Sequence, residues 1–356
     1  MSVTRCALVL SGFLVSSLAF GAAQRTFVST TGVNNPACSI GSPCRDFAAA
    51  VAVTSPNGEV IVLDSGGYGP VTIAQAVSII APPGVYAGIS VFAAGDGVTV
   101  AAGPADKVTL RGLTINGQGG NRGIVVASAG EVHVEECIVA NLAVDGVRID
   151  GGVSVHVRGT MVRSNGRHGL YVAAGAPEVH VVDSQLSRNA VHGVLIAAGT
   201  LDAARIAAND NGSNGIRVQP VAAVNAAVTL TDSALSGNGM TGAVAIPDVA
   251  GSTARLAVAR STSARNGGAG FGTRTFDLGT AFLTVADSAA AENAGNGVIV
   301  SDTNATGIVS NSTIARSVGP DFDQGGGSVF RSSGNNALSG RGVADITGTI
   351  TPNPLK

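Results

Sequence analysis

All five histidines of the sequence fall between positions 133 and 192, at regular intervals. His133, His156 and His180 each lie 13 residues before a glycine (Gly146, Gly169, Gly193), and His168 and His192 immediately precede Gly169 and Gly193. If those glycines mark one structural period, the histidines form two columns. The second column continues through Asp145 and Arg122; Arg148, Tyr171 and Arg217 stand two positions past their glycines, and Arg167 adjoins His168. Acid–base groups, cations and one ring are what a site for a polyuronate would use. The candidate patch is therefore Asp145, Arg148, Arg167, His168, Tyr171 and His192. The first column suggests a metal, but three imidazoles stacked about 4.8 Å apart cannot all lie about 2.0 Å from one tetrahedral ion. At most two could share it. Their Val-His-Val context reads as a solvent-facing ladder, and no metal is assigned.

Positioning these residues requires a repeating element, and the chain contains one. The pattern x-Gly-apolar-x-apolar recurs as Arg122-Gly-Ile-Val-Val126, Asp145-Gly-Val-Arg-Ile149, His168-Gly-Leu-Tyr-Val172, His192-Gly-Val-Leu-Ile196, Asn214-Gly-Ile-Arg-Val218 and Asn296-Gly-Val-Ile-Val300. Four residues before successive glycines stand Asn165, Asn189, Asn211, Asn238, Asn266 and Asn293, with Asn141 one position out of line. Asn tolerates left-handed turns, and its amide both donates and accepts, so stacked copies read as a structural ladder. Short alternating segments such as Glu131-Val-His-Val-Glu135 and Glu178-Val-His-Val-Val182 read as strands. Asp-Ser pairs that follow several of them suit turns.

Strands and turns repeating without helices predict an all-β chain, a parallel β-helix of ten or so coils. Composition agrees: 50 of 356 residues are Gly, there is no Trp, and only 12% of residues are charged. Small β-branched side chains fill a narrow core, and tight corners take glycine. The ends of such a solenoid need caps. Ser42 as N-cap and Pro43 as first helical residue predict a capping helix over 44–54 with Phe47, Ala50 and Val51 on one face. The expected organisation is a signal peptide over 1–23, a cap segment over 24–57, the β-helix over 58–340 and a C-terminal tail over 341–356.

Arg5, the apolar run Cys6–Phe20 and Gly21-Ala22-Ala23 have the layout of an export signal, giving a periplasmic or secreted protein with no transmembrane span after cleavage. In an oxidising compartment Cys38 and Cys44, six apart, are expected to form a disulfide, leaving Cys137 buried and unreactive. The net charge of −2 provides no field for nucleic acid.

Thr26-Phe-Val-Ser29, Gly32, Pro43-Cys-Arg-Asp-Phe47, Ala50, Gly58-Glu-Val-Ile-Val-Leu63, Gly67-Tyr68 and Val71-Thr-Ile73 together resemble the opening of secreted right-handed β-helix proteins of the pectin-lyase-like superfamily. The resemblance implies the fold, but the superfamily spans lyases, hydrolases, epimerases, tailspikes and proteins of no known activity. Polygalacturonase-like hydrolases carry an Asn-Thr-Asp turn and an Asp pair, and inverting hydrolysis needs two carboxylates; here Arg167-His168 occupy the pair's place. Superfamily lyases use Lys or Arg with calcium or another cation. Lys107 has no basic residue one coil on, where Gly130 falls, whereas Arg148, Arg163, Arg167, Arg188 and Arg217 occur within four coils. No carboxylate-rich calcium motif is visible, so no cofactor is evident and calcium enters only for a lyase. No complete catalytic constellation is present. The reading is an exported, non-catalytic β-helix presenting a regular face to a polysaccharide or an envelope or surface partner; the alternative is a polysaccharide lyase acting on a polyuronate.

Overall fold

In the computed structural model the described residues are 23–353 apart from 174, 176, 277 and 341–344. The expected export signal lies outside them. The chain winds as a parallel β-solenoid with three strands per coil. One coil runs Glu131–Glu135, Ile138–Ala140 and Val147–Ile149 before the next begins at Ser154–Arg158. Stacked coils build a first sheet of 14 strands, from Ala23–Val28 to Ile350–Pro352, and a second of 12 strands, from Val71–Ile73 to Ile346–Thr347. The third face carries six strands and then five, joined by Ala207, which bridges Gln185 and Ala234.

Register follows from period-two burial: a slip of one residue would turn every Val outward. Val132 therefore pairs Val155, Val155 pairs Val179, and Val179 pairs Leu201, all fully buried. The intervening positions face solvent.

Each coil turns its two sharp bends on residues of left-handed conformation, most of them not glycine, with Gly112 and Gly159 taking the first bend and Gly237 the second in their coils. Glu136, Asp183, Arg205, Asp232, Arg260 and Asp287, with φ between 48° and 53°, make the first bend. Asn141, Ser164, Arg188, Asp210, Arg265 and Glu292 make the second, immediately before the inward ladder position. The left-handed residue is thus not the ladder Asn but its predecessor, which points to solvent. Asn141 is out of line because it occupies this bend, and Leu142 takes the ladder place, donating its N–H to Asn165 Oδ1 at 3.1 Å.

The ladder itself is continuous. Asn165 Nδ2 donates to Asn189 Oδ1 at 2.9 Å, and the same bond repeats from Asn189 to Asn211, Asn211 to Asn238, Asn238 to Asn266 and Asn266 to Asn293 at 3.0–3.1 Å. Each Oδ1 also accepts the preceding Asn N–H, so buried amides are satisfied where no water reaches. A second ladder runs inside the first bend, where the Ser of each Asp-Ser pair sits. Ser233 N donates to Ser261 Oγ and Ser261 N to Ser288 Oγ, both at 3.1 Å.

The repeat glycines serve close approach, not corner geometry. None of Gly146, Gly169, Gly193 and Gly215 has positive φ. A Cβ on Gly169 would lie 2.6 Å from the Gly193 carbonyl oxygen and 2.7 Å from Asn189 Nδ2.

The capping helix spans Phe47–Val53, starts later than expected, and has Asp46 as N-cap, its carboxylate accepting from Ala49 N at 2.8 Å. Ser42 cannot take that role because Cys44, tied to Cys38 by a disulfide, bridges to Val28 as strand. The helix buries Phe47, Ala50 and Val51 against the first strands of two sheets, with Phe47 tilted on Tyr68.

Candidate functional site

The turn entering the second sheet gathers Asp96, Arg122, Asp145, His168, His192 and Asn214 into one column. Asp145, His168 and His192 are 0%, 3% and 6% exposed. They are sealed beneath the surface. Three of these side chains cap main-chain N–H groups of the next coil: Asp145 Oδ1 accepts from His168 N at 3.3 Å, His192 Nδ1 from Asn214 N at 3.2 Å, and Asn214 Oδ1 from Thr241 N at 3.0 Å. His192 must therefore keep Nδ1 unprotonated. The chain from Asp96 is continued by Arg122, whose Nη1 lies 3.5 Å from Asp96 Oδ2. Asp96 and Asn214 complete a column whose expected members ended at Arg122 and His192. Asn214 stood in the sequence immediately before its repeat glycine, as His168 and His192 do.

Burial sets the protonation of this column. It pushes the His168 imidazole down to about 4, with Arg167 and Arg148 adding repulsion, and His192 down to about 3, with His168 the next cause. Both rings are neutral near pH 7. Burial also pushes the Asp145 carboxyl up, against the opposing pull of Arg167, Arg148 and Arg122. Arg167 Nη2 donates to His168 Nε2 at 3.5 Å, while His168 Nδ1 and Asp145 Oδ2 are buried without a hydrogen bond. Such shielded groups hold structure, and a substrate would have to displace protein to meet them.

Of the outward residues beside this column, Arg148, Tyr171 and Arg217 reach solvent and Leu195 is buried. Arg148, Tyr171, Leu195 and Arg217 pair in register across adjacent strands of the second sheet. The Arg148 guanidinium lies 5.0 Å from the Tyr171 ring centre, and its Nε is shared by both Asp150 oxygens at 2.8 and 2.9 Å. Arg217 has no carboxylate within 4.0 Å among the described residues, and its Nε is buried without a partner. Burial lowers its pKa, with Asp248 the counteracting charge. It opens on a cavity of about 260 Å³ lined by Asn214, Arg274, Phe276, Asn296 and Ile299. Arg274 and Phe276 carried no sequence signal, because they stand beyond the histidine-bearing coils. The five neighbouring arginines split: Arg148 and Arg217 share the second sheet, Arg167 stands at its rim, and Arg163 and Arg188 lie on the third face.

The other three histidines stack on the outer face of the first sheet, ring centres 4.8 and 4.9 Å apart. Lys107 pairs there with Glu131, not with Gly130, and its Nζ is 3.3 Å from Glu131 Oε1. Among the described residues two groups could hold an ion, Glu131 with His133 and His156, and Glu178 with His180 and Asp202. Both include imidazole and neither assembles the six to eight oxygens calcium takes. Neither group fits calcium.

Residues 61–204 match the family model described as right handed beta helix region. Among solved structures, the chain is similar to the A-module of the Azotobacter vinelandii mannuronan C-5 epimerase AlgE6, at 15% identity and TM-score 0.62 over 84% of this chain and 91% of that one. It is similar also to the A-module of the Azotobacter vinelandii mannuronan C-5 epimerase AlgE4, at 16% identity and TM-score 0.61 over 83% and 91%. No curated protein matches the sequence. The fold is a right-handed parallel β-helix.

Proposed function

From a right-handed parallel β-helix with an arginine-bearing second sheet, we propose that the chain binds an acidic polysaccharide along that sheet without cleaving it. The carrying observation is Arg217, a guanidinium half-enclosed in a cavity with no carboxylate within 4.0 Å among the described residues. A half-enclosed guanidinium with no carboxylate in contact, offset only by the more distant Asp248, is a place an anionic ligand can fill. Tyr171 supplies a ring between Arg148 and Leu195, and the parallel strands repeat these positions about every 4.8 Å. The sealing of Asp145, His168 and His192 supports a binding role over catalysis, since general acids and bases must touch the reacting atoms. The Cys38–Cys44 disulfide supports an exported protein in an oxidising compartment, where a polysaccharide or envelope partner is present. No described helix is long and apolar enough to cross a membrane.

Affinity electrophoresis through alginate, polygalacturonate and a neutral glucan tests this. Retardation by the polyuronates alone, weakened by salt and by Arg217→Ala, is expected; equal migration in all three gels overturns it. The second reading, a polyuronate lyase, is favoured by Tyr171, a solvent-reaching acid–base group beside the Arg148 cation. It predicts unsaturated uronate ends, seen by ultraviolet absorbance, that vanish in Tyr171→Phe. Both measurements are run with and without calcium.

A further inference from the structure

The imidazole stack on the first sheet lies on a different face from the arginine stripe and plays no part in the binding proposed there. We propose that Glu131, His133 and His156 form a site for a divalent late first-row transition metal ion such as Zn²⁺, with solvent completing the coordination.

Three features carry the assignment. First, Glu131 Oε1 is a point of convergence: His133 Nε2 lies 2.6 Å from it, Lys107 Nζ 3.3 Å and His156 Nε2 3.9 Å. One carboxylate oxygen thus faces two imidazole nitrogens, and an ion that displaces Lys107 and the proton shared with His133 meets three donor atoms at one place.

Second, the spacing is close to what an ion needs. Ligand atoms about 2.0 Å from a tetrahedral centre stand roughly 3.3 Å from one another. The three candidate atoms lie within 4.8 Å of one another. Closing that gap takes a tilt of His156 toward Glu131, and replacing the shared proton by the ion lets the 2.6 Å contact between His133 and Glu131 open. His133 and His156 are register partners in adjacent strands, so the sheet holds them together and little entropy is lost on binding.

Third, the donors select the metal. Two imidazole nitrogens and one carboxylate suit zinc, copper or nickel, whereas calcium and magnesium prefer all-oxygen shells. The side chains of His133, His156 and Glu131 are 19%, 35% and 38% exposed, which leaves an open side for water. Lys107, at 55% exposure, can swing away as the ion enters. The remaining groups facing the trio are Glu135, whose Oε1 is 3.8 Å from His133 Nδ1, and Ser154, whose Oγ is 3.0 Å from His156 Nε2. His180 belongs to the neighbouring group with Glu178 and Asp202, which offers one imidazole.

Calorimetric titration of the tag-free, chelator-treated chain with Zn²⁺ tests the site, with Co²⁺ visible absorption as a second readout. One ion per chain is expected. His133→Ala and His156→Ala should each weaken binding by at least the roughly 10–100-fold that even loss of an outer-shell partner costs. His180→Ala, outside the trio, should bind as the parent does. All three positions face solvent, and far-UV circular dichroism and melting of each variant establish that it is folded. Absence of saturable Zn²⁺ binding, full binding by the His133→Ala/His156→Ala double variant, or equal loss in His180→Ala overturns the assignment.

Discussion

His168 and His192 stack ring on ring across adjacent coils, centres 5.1 Å apart and planes within 6° of parallel, with both side chains sealed from solvent. Stacked imidazoles in such a place can be held only as neutral rings. Their folded pKa values, about 4 and about 3, lie below the unfolded value of about 6.5. For a depressed base the unfolded chain binds the proton first, so stability is present above pH about 6.5 and is lost as pH falls toward the folded values. Asp145, with its pKa raised, acts in the opposite direction and recovers part of the loss. His192→Asn should flatten the decline, because Asn can accept the Asn214 N–H as Asn214 itself accepts that of Thr241. Urea denaturation across this pH range measures it; an unchanged slope in the variant would contradict the assignment.

The Asn ladder should be the most sensitive polar feature of the core. Asn211 Nδ2 serves Leu186 O at 3.1 Å and Asn238 Oδ1 at 3.0 Å, while its Oδ1 accepts from Asn189 N and Nδ2. Asn211→Ala strands several buried groups at once, each costing about 1–3 kcal/mol. Asn211→Asp keeps the acceptor but loses both donated bonds and buries a charge, so it should not rescue. Denaturation midpoints of the two variants against the parent decide this, and a loss under about 1 kcal/mol would argue for rearrangement around the gap.

Gly169→Ala should destabilise through contact. Its new Cβ meets the Gly193 carbonyl, held by Leu170 N, and the Asn189 amide, held in the ladder, and overpacking of this kind costs about 1–3 kcal/mol. Gly41→Ala, with open space around it and no positive φ, should stay within about 0.5 kcal/mol of the parent. Thermal melts of the pair separate close approach from loss of glycine as such.

The coil period and the Asn column were legible because a stacked solenoid repeats a contact at every turn, and selection of one residue type at one place leaves a period in the sequence. The inner Ser ladder was not legible as a ladder. Its positions read Cys137, Thr160, Ser184, Ile206 and Ser233, and chemical variety hides the shared place. The trio at Glu131 was within reach, since residues two apart on a strand share a face and the histidine column stands in its true register, but weighing the three imidazoles alone left Glu131 out of the group, and Lys107 was set one residue off, against Gly130. Burial of His168 could not be read from identity, because polarity alone does not say whether a side chain caps a backbone amide or meets solvent. The late start of the helix depended on the Cys38–Cys44 loop holding Cys44 in a strand bridge, a tertiary constraint that overrides the Ser-Pro start signal.

Cys137 should behave as a member of that Ser ladder and not as a reactive thiol. Its N–H donates to Thr160 Oγ1 at 3.3 Å, as Thr160 N donates to Ser184 Oγ at 3.1 Å. Its Sγ contacts the carbonyl two residues back, Glu135 O, at 3.2 Å, the bond that Ser184 makes to Val182 O at 2.8 Å. Complete burial pushes the thiol pKa up to about 12, so thiolate is negligible near neutrality and nucleophilic attack is suppressed. Cys137→Ser places a hydroxyl where the next two coils already carry one, and the expected change is within about 1 kcal/mol, whereas Cys137→Val removes the donor to Glu135 O and should cost more. Native protein should resist a thiol reagent that modifies the urea-unfolded chain at once. Rapid modification of the native chain would place Cys137 at the surface and break the analogy with Thr160 and Ser184.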